Sequence, residues 1–217
     1  MSLGYSVAQT ARLVCALRWA CGRLSEILEA WAAQAAVAPE HSGAAVALHE
    51  LGGRLAAHRA RLDGLQPDSE LMAPWRQAAP ADVSLVAALD EIASLQGTPE
   101  RLDTARAVLV PQLLGVYAEI CEFAAPHCDG ALASAARSLG HDLDRYKQEP
   151  GAAWAEDRAP GRPHAHDLDR YKQEPAAPGA NAQPPAVTEA DKLLSAAGGI
   201  VGRSVLRPGD WSRPNQP

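Results

Sequence analysis

Two acidic pairs at helical spacing, Glu26-x-x-Glu29 and Glu119-x-x-Glu122, and the histidines His41, His49, His58, His127, His141, His164 and His166 are the residues of this chain best suited to chemistry. In a helical protein they would point to a di-iron carboxylate centre. Such a centre takes a Glu from each of two helices and a Glu-x-x-His from each of two others, because positions i and i+3 put both ligands on one inner face. No Glu in this sequence is followed three residues later by His. Glu26 and Glu29 flank the apolar Ile27 and Leu28 and read as solvated. His41 falls in a loop and His164 and His166 in a polar tail, which leaves His49, His58 and His127 as ligand candidates. A lone histidine on an apolar face is more commonly a core residue with a satisfied N–H than a ligand. No nucleophile-elbow serine, phosphate-binding glycine loop or HExxH is present. Cys15, Cys21, Cys121 and Cys128 match neither a CxxC pair nor a zinc set and read as core-filling thiols in a reducing cytosol.

The elements that must position these residues are helices. The chain has 217 residues, 47% of them hydrophobic, and that apolar content is mostly alanine and leucine with one phenylalanine, which helices bury and sheets do not. From Ser6 to Ala36, Leu13, Leu17, Cys21, Leu24, Leu28 and Trp31 recur at three- and four-residue steps. Pro39 ends that helix and Ser42 is placed to cap the next, whose stripe runs Leu48, Leu51, Leu55, His58, Leu62 and Leu65. Gln66 to Asp82, with three prolines, predicts a long crossover loop. Val83, Val86, Leu89, Ile92 and Leu95 predict a third helix. Gly97-Thr98-Pro99 opens a fourth that runs to about Ala124, kinked at Pro111. Asp129 to about Lys147 is the last strong helix. Residues 6–147 thus predict a helical bundle.

Beyond it, residues 148–187 predict a disordered Pro/Ala/Gly-rich linker. This linker contains a second, unchanged copy, His166–Pro175, of the decapeptide HDLDRYKQEP found at His141–Pro150. The duplication is either a docking motif or a recombinational copy in a tolerant segment, and the lack of flanking similarity favours the copy. Residues 188–217 regain apolar side chains, with at most a two-turn helix before Gly198-Gly199. Leu193, Leu194, Ile200, Val201, Leu206 and Trp211 predict either a tethered ligand for a protein partner or a terminus that folds back on its own bundle. The net charge of −6 argues against nucleic acid for the bundle, where 12 basic side chains face 17 acidic ones; from Lys192 onward the balance is +3. No window approaches 18 uncharged apolar residues, and Met1–Thr10 lacks a basic n-region, so neither a membrane span nor a signal peptide is expected and a cytoplasmic location follows.

The run Leu17-Arg18-Trp19 through Arg23-Leu24-Ser25-Glu26-Ile27-Leu28-Glu29-Ala30-Trp31 resembles the first helix of a ferritin-like family of bacterial proteins, which reads LR-x-Y-x-E-x-RL-x-x-IL-x-x-W there. Ala57–Leu62 is similar to the end of that family's second helix, and Arg106–Leu114 to its proline-kinked third; the resemblance covers about residues 12–147. It implies a four-helix ferritin-like bundle whose di-iron ligands are lost. The first-helix glutamate falls at Cys21, the second-helix Glu-His pair at Gly53-Arg54, and the acidic run closing in His at Asp142-Leu143-Asp144-Arg145. Guanidinium does not bind a metal. Arg54 and Arg145 are therefore expected to point toward the former site and pair with carboxylates such as Asp142 or Glu119. The function this implies is a non-catalytic structural or protein-interaction module without cofactor, a homodimer staying open. In outline, a bundle with linker and apolar tail also looks like a cargo protein of bacterial nanocompartments. The alternative is an iron-binding protein or di-iron oxidoreductase with non-standard ligands drawn from His49, His58, Glu119, Glu122 and His127.

Overall fold

A computed structural model describes residues 4–66, 70–125, 129–148 and 183–202, and among these there are helices and turns but no strand. Helix α1 (Val7–Ala35) starts at a capping box: Ser6 Oγ accepts from the Gln9 amide (3.2 Å) while Gln9 Oε1 accepts from the Ser6 amide (2.8 Å). After a short 3₁₀ turn at Pro39–His41, α2 (Ser42–Asp63) runs back along α1. The cap expected of Ser42 does not form. His41 occupies the N-cap position and makes no side-chain capping bond, because the 3₁₀ turn already carries Ser42 in helical conformation. The crossover contains a 3₁₀ segment, Glu70–Trp75, set against α1.

Helix α3 (Val83–Ala93) is capped by Asp82, which accepts from the Ser84 amide at 2.7 Å. Its buried face is Leu85, Ala88, Leu89 and Ile92. Val83, expected on that face, is 81% exposed. Six residues from Leu89 is about 240° of helical rotation, so the two cannot share a face. Helix α4 (Thr98–Thr104), a π-helical turn (Ala105–Leu109) and α5 (Val110–Phe123) follow without a break. Pro111 lacks an amide for the carbonyl four residues back. The wider π turn just before it, in which the Val110 amide reaches Ala105 O, accommodates the expected disturbance.

Helix α6 (Gly130–Gln148) lies along α5. Just before it, buried Asp129 accepts from the Tyr5 and Ala125 amides, both at 2.9 Å, and so ties the start of the chain to the start of this helix.

Over residues 185–202 the C-terminal segment takes the second of its two readings and folds back on the bundle. Helix α7 (Pro185–Ala196) is longer than two turns and packs on α3, α4 and the π turn, with Val187, Ala190 and Leu194 buried. Gly198, Gly199 and Gly202 have φ of 84°, 84° and 75°, the left-handed region, and the Gly199 amide bonds back to Leu194 O at 2.7 Å. That turn folds Ile200 and Val201 into the same core as the bundle, both at 0% exposure. Of the proposed partner-binding residues, Leu194, Ile200 and Val201 are thus already covered and Leu193 is half-buried, whereas Leu206 and Trp211 lie outside the described residues. The second decapeptide copy and most of the predicted linker also lie outside them.

Candidate functional site

The polar interior of the bundle is built by four helices that each contribute one or two side chains. Alpha-helical spacing puts Arg54 and His58 one turn apart on α2, facing Asp142 of α6. Tyr117 of α5 and Cys21 of α1 close the other side. His58 is 2% exposed, Tyr117 1% and Cys21 fully buried. His58 Nε2 lies 3.1 Å from Asp142 Oδ2, and its Nδ1 lies 3.1 Å from the Tyr117 hydroxyl. Arg54 Nη1 donates to Asp142 Oδ1 at 2.8 Å and its guanidinium stands 5.0 Å from the Tyr146 ring centre. The Tyr146 hydroxyl in turn donates to Ala47 O at 2.7 Å.

Proton directions follow from the ends of this chain. A carboxylate only accepts, so His58 carries its hydrogen on Nε2 and its Nδ1 lone pair takes the Tyr117 O–H. The Tyr117 oxygen is then free to accept from the Cys21 thiol, 3.7 Å away. Burial lowers the His58 pKa below its ordinary value. Asp142 acts against that shift, and Arg54 and Arg61 act with it. The imidazole is therefore neutral near pH 7, as the proton order requires. Burial pushes the Cys21 thiol up to about 11 and raises the Tyr117 phenol well above its ordinary value.

The arrangement is a continuous chain of hydrogen-bonded groups from Cys21 through Tyr117 and His58 to Asp142. Cys21 is a thiol and not a thiolate nucleophile. Both His58 nitrogens have hydrogen-bond partners, and the ring is 2% exposed.

The other sequence candidates do not join this cluster. His49 is exposed and pairs with Glu29 at 2.8 Å, and Glu26 is exposed and pairs with Arg23 at 3.2 Å. Glu119, half-buried two residues beyond Tyr117, stands near Tyr5, whose pKa it helps burial to raise; Glu122 is exposed. His127 lies outside the described residues. Gly53 is exposed with open space where a Cβ would stand. Arg145 is also exposed, so the inward orientation expected of it is not found: it is three residues beyond Asp142, next to buried Tyr146 but off its face. Among the described residues, no three His, Cys, Asp or Glu side chains come together as a metal-ligand set. Cys15 and Cys121, also free thiols, donate to the Gln77 and Ala133 carbonyls.

Tyr117 and Tyr146 were legible only as apolar-stripe positions. A hydroxyl in a stripe otherwise made of Ala, Leu and Val was the available signal, since a buried Tyr needs a partner. Buried Arg101 gave less sign of itself. Its Nε donates to Leu95 O (2.7 Å) and its Nη2 to Gln34 Oε1 (2.6 Å), pinning the turn between α3 and α4 to the end of α1. Comparison of the chain with family models, with curated proteins and with solved structures finds no match.

Proposed function

We propose that this chain is a ferritin-like four-helix bundle whose metal centre has been replaced by a closed hydrogen-bonded network, and that it serves as a structural or protein-interaction module in the cytoplasm. The observation that carries this reading is the convergence of Cys21, Arg54 and Asp142, three positions where the family resemblance puts metal-site residues, on the buried pair His58 and Tyr117. The residues there do not fit iron. Arg54 remains protonated, both His58 nitrogens are engaged and Cys21 holds its proton. A satisfied polar network of this kind specifies how α1, α2, α5 and α6 face one another more than it adds stability. With α7 docked on the bundle, residues 185–202 belong to the folded domain and add to the surface it offers a partner.

Metal analysis of protein purified from iron-supplemented cells tests the proposal. The expected content is below about 0.1 iron per chain, and about one or two irons per chain would overturn it.

A further inference from the structure

We infer that the chain carries a second, surface site that binds the phosphate group of a small molecule, in a cleft of about 130 Å³ between α1, α2 and the crossover. Its donors are three guanidinium groups, Arg18 and Arg23 from α1 and Arg59 from α2, with the Trp19 indole as a wall. The site is separate from the buried network and does not depend on how that network is read.

Arg18 and Arg23 are held in place. Arg18 pairs with Asp63 and donates to Arg76 O at 2.8 Å, whereas Arg23 bridges Glu26 (3.2 Å) and Asp90 (2.6 Å). Arg59 differs from both. Among the described residues nothing accepts from it, yet it is not left to wander: it lies over Gly22, where an added Cβ would stand 2.9 Å from Arg59 Nη1 and 3.2 Å from its Cδ. Glycine inside a long helix costs stability relative to alanine, and here the space it leaves is filled by the Arg59 head. The Arg18 Nε, in one of the residues lining the cleft, is buried and without an acceptor.

The electrostatics favour an anion despite the neighbouring carboxylates. Glu26 also lines the cleft, but it, Asp63 and Asp90 are 63%, 51% and 55% exposed against 12% for Arg18 and 33% for Arg23, so water screens these carboxylates more than those two guanidinium groups. Three guanidinium groups lining one cleft, two of them held by ion pairs, suit a tetrahedral oxyanion, which takes charge-assisted bonds from more than one arginine. A body esterified to that phosphate would lie against Trp19.

Calorimetric titration of the full chain with inorganic phosphate and with phenyl phosphate, against chloride at equal ionic strength, tests the site. One-to-one binding in the roughly millimolar range is expected. Arg59→Ala should weaken it by about tenfold or more, by removing the unpaired fork. Gly22→Ala should also weaken it, by displacing that fork, without lowering the melting temperature. Tighter binding of phenyl phosphate identifies an ester as the ligand and equal affinity identifies the free ion, and either supports a phosphate site. Phosphate acting no differently from chloride, or unchanged binding in a folded Arg59→Ala protein, would overturn the proposal.

Discussion

Replacing Asp142 by alanine tests the buried network at the one residue that holds two donors. The carboxylate accepts from the His58 Nε2–H and from Arg54 at 3.1 and 2.8 Å, and the two donors differ sharply in what they can do without it. His58 is 2% exposed, so its N–H loses its acceptor with no water to replace it, a loss of about 1–3 kcal/mol. Arg54 is 25% exposed and its partner 34%, which leaves that ion pair worth only about 0.5 kcal/mol after solvent screening. Alanine is the better helix former and returns about 0.5 kcal/mol. The expected net destabilisation is about 2 kcal/mol. Arg54→Met keeps the Asp142–His58 bond while removing the screened pair and the contact with the Tyr146 ring, which together are worth about 1 kcal/mol. Urea unfolding followed by circular dichroism, with the slope unchanged so that midpoints report stability, measures both. The reasoning fails if Asp142→Ala costs less than about 0.5 kcal/mol, or if Arg54→Met costs as much as Asp142→Ala. Either result would mean that the buried imidazole does not depend on the carboxylate.

Two other outcomes follow from the same structure. Because the folded His58 pKa lies below its ordinary 6.5, the unfolded chain takes up a proton that the folded imidazole, facing Asp142, Arg54, Arg61 and Tyr117, refuses. Its contribution is therefore full above pH 6.5 and declines as the pH falls toward the folded pKa, by at most about 1.4 kcal/mol per pH unit. His58→Gln should flatten the fall of the urea midpoint from pH 7 to about 5, and parallel curves for the two proteins would refute the assignment. At the C-terminus, Leu194→Ala should cost about 2–4 kcal/mol, because Leu194 is fully buried, and half-buried Leu193→Ala less than about 1.5. Small and equal losses in thermal or urea unfolding would show that α7 does not hold to α3 and α4.

The helices were legible because their signals are local. Three- and four-residue spacing places α1, α2 and α6 nearly to the residue, and Pro39 and Gly97 mark breaks that the backbone obeys. One feature escaped and another stayed undecided, because both depend on what each helix meets. The face of α3 turned on its contact with α1 and α7, which buries Leu85 and Ala88 and leaves Val83 in water. Helix α7 sits between a Pro/Ala-rich stretch and a glycine pair, and its few apolar residues suit a free peptide as well as a docked helix. Only the apolar surface of α3 and α4, about 90 residues away, selects the second. The site shows the same division. His58 was placed on a buried line by its spacing, but its partners come from 59 and 84 residues further along the chain, and no periodicity specifies which tyrosine or aspartate arrives there.

The duplicated decapeptide shows how far a short match is from a site. In His141–Pro150, Asp142 holds Arg54 and His58, Leu143 is fully buried, and Tyr146 bonds to Ala47 O beneath Arg54. What turns those three side chains inward is the helix before them. Leu132, Ala136 and Leu139 stand 11, 7 and 4 residues ahead of Leu143, are themselves buried, and fix the rotation of α6. The second copy carries the same Asp, Leu and Tyr, but the positions 11, 7 and 4 residues ahead of Leu168 are Asp157, Gly161 and His164, which offer no apolar stripe to set a register. Ten identical residues therefore do not carry equal claims on the Arg54–His58 seat. The preceding turns decide the claim: in the first copy the register of α6 sets which side chains face inward, and nothing in the sequence ahead of the second copy sets such a register.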